Sequence, residues 1–169
     1  MYHAFAARPR SHTAAACAGA LLLAAAAAAP VSGAPPARSY FPHAVAAGAQ
    51  PLPFSDAVRS GDTLYLAGHL GIDPHTGDAA ADSTIEARLV MEALKHTVEA
   101  GGLQMDDLVS VTVYCTDLRL FEAFNAVYRS YFHDGHYPVR AFIGVAQLLR
   151  GARFEVSGIA VAPRPDVHH

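Results

Sequence analysis

The sequence predicts an α+β domain, and three observations carry that expectation. Strand-like apolar segments recur on both sides of the chain's middle, from residue 54 to 70 and again from 137 to 161. Two segments with helical apolar spacing, opening at Ser83 and at Phe121, stand between them on either side of a further strand. The order is therefore β-β-α-β-α-β-β, which gives two helices to cover one face of a mostly antiparallel or mixed sheet.

The N-terminal segment reads separately from this domain. Arg8 and Arg10 precede an apolar run of 17 residues, Thr13 to Ala29, and no acidic residue occurs in the first 33 positions. Small residues follow at Val31-Ser32-Gly33-Ala34. A charged start, an apolar middle and a small-residue end make an export signal, with cleavage expected between Gly33 and Ala34. The competing readings are a membrane anchor and a buried helix, but a spanning helix needs about 20 apolar residues. Cys17 lies inside the apolar run rather than after it, so lipidation is not expected. The protein is therefore expected to be exported, periplasmic or secreted, with no stable membrane association after cleavage.

Charge and cysteine count exclude some classes of function. The net charge of −3 becomes more acidic once Arg8 and Arg10 are removed, and no basic cluster remains. That argues against binding nucleic acid through its phosphates. Cys115 would be the one cysteine left, which allows no intramolecular disulfide. Its strand-like setting, Val113-Tyr114-Cys115, makes it a small core residue.

Residues 34–51 are rich in Pro, Ala and Gly and read as a linker; residues 52–163 form the domain and 164–169 a tail. No internal repeat is present. Thr63 to Leu70 is a strand with Leu64, Leu66 and Gly68 on one face, and Ser60-Gly61-Asp62 turns it back onto a partner at Phe54 to Arg59. The next residues, to Asp78, are dense in turn formers. Ser83-Thr84-Ile85-Glu86 has the capping-box pattern, and Ala87, Met91, Leu94 and Val98 then share one helix face. Gly101-Gly102 ends that helix.

Leu108, Ser110 and Thr112 alternate with Val109, Val111 and Val113 in the central strand. Phe121, Phe124, Val127, Tyr128 and Tyr131 give the second helix an aromatic core face. The last two strands are expected to be joined by a turn near Leu149 to Ala152. In the first of them Ala141, Ile143 and Val145 face one side and Phe142 the other, so both sheet faces carry apolar groups. With two helices available for one face, another subunit is the expected cover for the second, in a closed cyclic oligomer.

Candidate chemistry is sparse. The chain has no phosphate-binding glycine loop, no nucleophile elbow and no zinc-protease motif. His133 and His136 flank Asp134 without the further ligands a metal site needs, and His168-His169 is a terminal pair, so no metal is expected. Arg140 is the residue that asks for an explanation. A guanidinium at the start of an apolar strand is costly to bury unpaired. A hairpin closing at 149–152 would set Arg140 opposite a residue near Val161, which leaves Glu155 at the wrong depth for an ion pair. The alternative is a clamp for a small carboxylate, whose two oxygens match the planar fork.

Three stretches carry a family resemblance: LPFSDAVRSGDTLYLAGHLGIDPHTGD, EAGGLQMDDLVSVTVYCTDLRLFEAFNAVYRSYF and YPVRAFIGVAQLLRGARFEVSGIAV. Together they resemble the YjgF/RidA family of enamine/imine deaminases and related small-molecule binders, over about Leu52 to Ala162. The resemblance implies a chorismate-mutase-like fold, a homotrimer and ligand clefts between subunits. It also implies hydrolysis of 2-imino acids to 2-keto acids and ammonia, with no cofactor and no metal. The arginine of the family's F-P-x-R motif, which grips the substrate carboxylate, falls at Arg140.

The departures are equally specific. The family's tyrosine is Phe54, its serine is Ala67 beside Gly68, the glutamine that follows is His69, and the cysteine after the arginine is Phe142. These positions are expected to line the binding cleft. The glutamate that activates water is Ser157 here, while an earlier glutamate is kept as Glu155. His69 has two readings, a substitute proton-transfer group or a hydrogen-bonded strand-end histidine. The functional expectation is a carboxylate-binding 2-iminobutanoate/2-iminopropanoate deaminase of reduced activity; the alternative is an inactive carboxylate-binding protein. Ribonuclease activity, sometimes attributed to this family, is disfavoured by the acidic balance.

Overall fold

The computed structural model describes residues 36–45 and 47–163. The proposed export signal and the terminal histidine pair lie outside the described residues. Six strands form one sheet: β1 (Arg38–Pro42), β2 (Ser55–Ser60), β3 (Thr63–Leu70), β4 (Leu108–Cys115), β5 (Val139–Gly144) and β6 (Phe154–Val161). Two helices, α1 (Ser83–Ala100) and α2 (Phe121–Tyr128), complete it. The strand order is β1-β2-β3-β6-β4-β5. Only β4 and β5 run parallel, joined by the α2 crossover; every other pair is antiparallel. The mixed sheet with two helices is the predicted α+β class.

The helices cover one face. Ala87, Val90, Met91, Leu94 and Val98 of α1 are fully buried, against Leu64, Val111, Val113, Phe154 and Val156 of the strands. Phe124 of α2 sits 4.9 Å from the Phe154 ring and closes the same core. Cys115 is buried there as a free thiol, and burial pushes its pKa up.

Five local expectations are corrected. The stretch read as a linker contributes β1, because Arg-Ser-Tyr-Phe-Pro has no glycine and pairs with the open edge of β2. The last two strands are not a hairpin. β6 inserts between β3 and β4, while β5 lies on the far side of β4, since a strand-helix-strand unit returns parallel. Arg140 consequently pairs with Val111, not with β6.

The cap of α1 is Asp82, whose carboxylate accepts from the Thr84 and Ile85 N–H groups. Glu86, freed from a capping box, turns into the core. In β4 the register shifts between Leu108 and Ser110, so Leu108 is buried and Val109 is exposed. In β3 a shift between Leu66 and His69 brings His69, rather than Gly68, onto the buried face with Leu64 and Leu66.

Candidate functional site

Arg140 sits on the edge strand β5 with its side chain on the helix-covered face. Its Nη2–H donates to Asn125 Oδ1 at 2.7 Å. Its guanidinium carbon lies 4.5 Å from the Tyr128 ring centroid, 5.7 Å from Phe121 and 5.9 Å from Phe142. All three distances are within cation–π range. Because a guanidinium only donates, Asn125 must present its carbonyl oxygen. The remaining N–H groups of the fork have no hydrogen-bond partner among the described residues.

Asn125, Tyr128, Arg129, Tyr137, Pro138 and Arg140 surround a pocket of about 250 Å³. Burial pushes the Tyr128 phenol up to about 12, against the opposing pull of Arg140. Its hydroxyl is buried without a hydrogen-bond partner among the described residues. Asn125 was not singled out from the sequence, and Tyr128 was read there as part of the aromatic core face rather than as a seat for Arg140. The available signal was an amide inside an aromatic helix face, since a buried polar group requires a partner.

The opposite face of the sheet is open and has a different character. Thr112 pairs with Ser157 on one side and Ala141 on the other. Beyond Ser157, the irregularity in β3 sets two residues, Ala67 and Gly68, against that one. One transverse row of the open face is thus Ala67/Gly68, Ser157, Thr112 and Ala141, all small. The flanking rows are larger: Tyr65, Ile159, Ser110 and Val139 on one side, and Leu70, Glu155, Tyr114 and Ile143 on the other. The result is a trough with a floor of small side chains. Phe54 stands just before β2, 51% exposed, with its ring 6.1 Å from His43.

Arg140 and Ser157 therefore belong to opposite faces. Arg140 is level with buried Val111, Ser157 with the next residue, Thr112, and successive strand residues point to opposite sides. Phe142, two residues on, shares the Arg140 face and packs edge-on against Phe121 at 5.0 Å. Of the residues singled out from the sequence, Ala67, Gly68, Glu155 and Ser157 come together on the open face. Arg140 and Phe142 come together on the other. One chain does not join the two sets.

A family model described as Endoribonuclease L-PSP matches residues 43–162. The chain belongs to this family, whose members include the YjgF/RidA proteins. The 2-iminobutanoate/2-iminopropanoate deaminase of Salmonella typhimurium is 36% identical over 111 residues, which is 64% of this chain and 87% of that protein. The Escherichia coli K12 deaminase of the same name is 34% identical over the same length and coverage. Among solved structures, Escherichia coli TdcF with bound serine aligns with a TM-score of 0.63 at 33% identity, covering 73% of this chain and 94% of TdcF. RidA from the Antarctic bacterium Psychrobacter aligns at 0.62 and 34% identity, covering 72% and 94%. The family match begins at His43, so β1 precedes it.

Against the RidA family pattern, His69 is the departure whose surroundings are most sharply defined. It is 9% exposed. Nδ1 lies 2.9 Å from Ala67 O and Nε2 2.8 Å from Thr97 Oγ1 in α1. A carbonyl accepts only, so Nδ1 carries the proton; the Thr97 hydroxyl lies between Nε2 at 2.8 Å and Ala93 O at 3.2 Å, and turns its one hydrogen to Nε2 when the ring is neutral. Burial is the main cause of a lowered pKa, outweighing the pull of Ala67 O and Asp56. His69 thus sits beneath the sheet as a hydrogen-bonded neutral imidazole, on the face away from the trough.

Glu86 is the other polar residue the sequence did not expose. It is fully buried and takes Arg153 Nε–H at 2.6 Å, with the N–H groups of Arg153 and Phe154 at 2.6 and 2.9 Å. Arg153 extends to the carbonyls of Ala80 and Ala81. This hub ties the entry of α1 to the start of β6. His133, in turn, bonds Asp106 at 2.8 Å, which holds that carboxyl below its usual range. Among the described residues no three metal-capable side chains cluster.

Proposed function

We propose that this protein binds small carboxylates in clefts between subunits, through Arg140, and hydrolyses 2-imino acids or enamines to 2-keto acids and ammonia. The observation that carries the reading is Arg140 itself. Its fork is seated on Tyr128 and Asn125 with several donors uncommitted, at an edge strand where a second copy can reach it. A carboxylate would take two of those donors in parallel. The two deaminase relatives, and the serine bound in TdcF, support a small carboxylate-bearing ligand.

A homotrimer supplies what one chain lacks. The open face carries Tyr40, Tyr65, Val139 and Ile143, at 61, 51, 72 and 42% exposure. Apolar groups of that size on one sheet face favour burial against a second copy. In such an assembly Arg140 of one subunit would meet the trough of its neighbour. Light scattering tests this, with a trimer mass expected; a monomer mass would contradict it.

A second reading is a carboxylate-binding protein without turnover. It is favoured by Ser157, Ala67 and Phe54, which stand where the family has glutamate, serine and tyrosine. Ammonia release from 2-iminopropanoate and 2-iminobutanoate generated in situ separates the two. Release above the buffer rate, abolished in Arg140→Ala, is expected for the hydrolase. Carboxylate binding with release at the buffer rate would establish the binder instead.

We further propose that residues 1–33 direct export and are removed near Gly33. The mass of the protein recovered from the periplasm or medium tests this; an intact N-terminus would contradict it.

A further inference from the structure

We propose that His43, oriented by Asp56, is the proton-transfer group of the trough, standing where β1 and β2 close the end of its small-residue row. This inference rests on the imine-hydrolysis reading above.

Three observations carry it. The first is the form of the pair. His43 Nδ1 lies 2.8 Å from Asp56 Oδ1. An ionised carboxylate only accepts, so Nδ1 carries the proton and the lone pair of the neutral ring sits on Nε2. Nε2 has no hydrogen-bond partner among the described residues, and the side chain is 45% exposed. An imidazole held by a carboxylate at one nitrogen and open at the other is set to take up a proton and return it.

The second observation is the place of the pair. Ala57 pairs with Leu66 on the buried face, so antiparallel pairing brings Asp56, one residue earlier, level with Ala67. Alternation along β2 turns Asp56 to the opposite, open face. The row Ala67/Gly68, Ser157, Thr112 and Ala141 thus continues onto β2 as Asp56. Phe54, expected to line the cleft, has its ring 6.1 Å from that of His43. Burial dominates the lowered pKa of His69, but Asp56 raises it and His43 lowers it, so both act at the irregularity of β3. The third observation is that the row itself offers hydroxyls and methyls, none of which exchanges a proton near neutral pH. His69 has both ring nitrogens engaged beneath the sheet. On the open face, the neighbouring strands add Arg38 and Tyr40 on β1, Tyr65 on β3 and Glu155 on β6, so His43 is the imidazole of this face.

The chemistry that follows is balanced. Water adds its oxygen to the imine carbon and passes one proton to His43 Nε2, while the C=N electron pair moves onto nitrogen. Asp56 steadies the imidazolium through Nδ1–H, and Nε2 returns the proton to the substrate nitrogen. The C–N bond then breaks as the new hydroxyl closes to a carbonyl, its proton passing through Nε2 to the departing ammonia. The products are a 2-keto acid and ammonia, with His43 back in its neutral form. A positioned acid–base group of this kind is worth roughly 10²–10⁴ in rate.

The test is ammonia release from 2-iminobutanoate across pH, for the wild type, His43→Gln and Asp56→Asn, with melting temperatures measured alongside. His43→Gln is expected to lower kcat about 100-fold with little change in KM, and to abolish the acid limb of the pH profile. Asp56→Asn keeps the imidazole but can donate to Nδ1, which favours the wrong tautomer, and is expected to lower kcat at least about 10-fold. The double variant should be no worse than His43→Gln, because Asp56 acts only through His43. A pair that merely fastened β1 to β2 would move the melting temperature and leave kcat and its pH profile unchanged. With an active wild type, unchanged kcat and pH profile in either variant would overturn the assignment alone. A wild type at the buffer rate would overturn the hydrolase reading and this assignment with it. If His43→Gln does not fold, Asp56→Asn supplies the answer: full activity overturns the proposal, and a reduced kcat at unchanged KM supports it.

Discussion

The guanidinium of Arg140 rests 4.5 Å from the centre of the Tyr128 ring, and Asn125, three residues earlier on α2, gives it a side-chain carbonyl. The seat fixes the plane of the fork before any ligand arrives. Orientation of that kind lowers the entropic cost of gripping a carboxylate.

Tyr128 separates ring from hydroxyl. Its Oη is buried without a partner among the described residues, so Tyr128→Phe removes a polar group left unsatisfied there and keeps the ring. Thermal or denaturant melts should show stability unchanged or raised by about 1 kcal/mol. Carboxylate affinity should be preserved. Tyr128→Leu, which loses the ring, should weaken carboxylate binding by a factor of about 2–30, in keeping with the range of cation–π energies. Equal affinities in the two variants would show that the ring does not seat the guanidinium.

The Glu86–Arg153 hub predicts a large stability effect far from the ligand. Glu86→Ala leaves two backbone N–H groups and a half-buried guanidinium without their acceptor. Breaking a buried pair on one side typically costs about 3–5 kcal/mol. Glu86→Gln retains an acceptor oxygen and should lose less. Denaturant midpoints check both; a Glu86→Ala midpoint within error of the wild type would contradict the role given to the hub.

His69 sets an acid limit on stability. Its pKa in the folded state is lowered from 6.5 by burial, so the unfolded chain binds the proton more readily. Stability therefore rises with pH wherever the unfolded state holds more protons. No stability is lost above the unfolded value. As pH falls below 6.5 toward the lowered folded value, the unfolded state gains protonation that the fold resists. His69→Gln should flatten this part of the pH–stability curve in chemical denaturation. A wild-type curve with no decline across that window would contradict the assignment of a neutral buried imidazole.

Much of the fold was legible because the apolar periodicities agree with their burial. Ala87, Met91, Leu94 and Val98 fall on one helix face in the sequence and are all fully buried. What the sequence did not reveal depends on strand pairing. The insertion of β6 between β3 and β4 has no local signature, so Arg140 could not be assigned its neighbour Val111 in advance. The shift in β3 likewise depends on β6, and it moves His69 from the expected ligand face to the core. Glu86 was misread for a simpler reason: its spacing from Ser83 fits a cap, but Asp82 caps better and the carboxylate went inward. Arg140 stood out because a permanent charge in an apolar strand always needs an explanation. Asn125 and Tyr128, which supply half of that explanation, look like ordinary helix residues until the fold brings them to β5.

The central claim is that Arg140 and the trough meet only between subunits, and mixing two damaged proteins tests it most directly. Arg140→Ala lacks the anchor, and Thr112→Phe places a ring on the trough floor between Ser157 and Ala141. Each homomer should be inactive in ammonia release. Subunits refolded together in equal amounts should recover about a quarter of wild-type activity, because random neighbours bring an intact anchor to an intact trough at that frequency. A mixture of confirmed trimers that stays as inactive as its parents would show that the two halves of the site do not come from different chains.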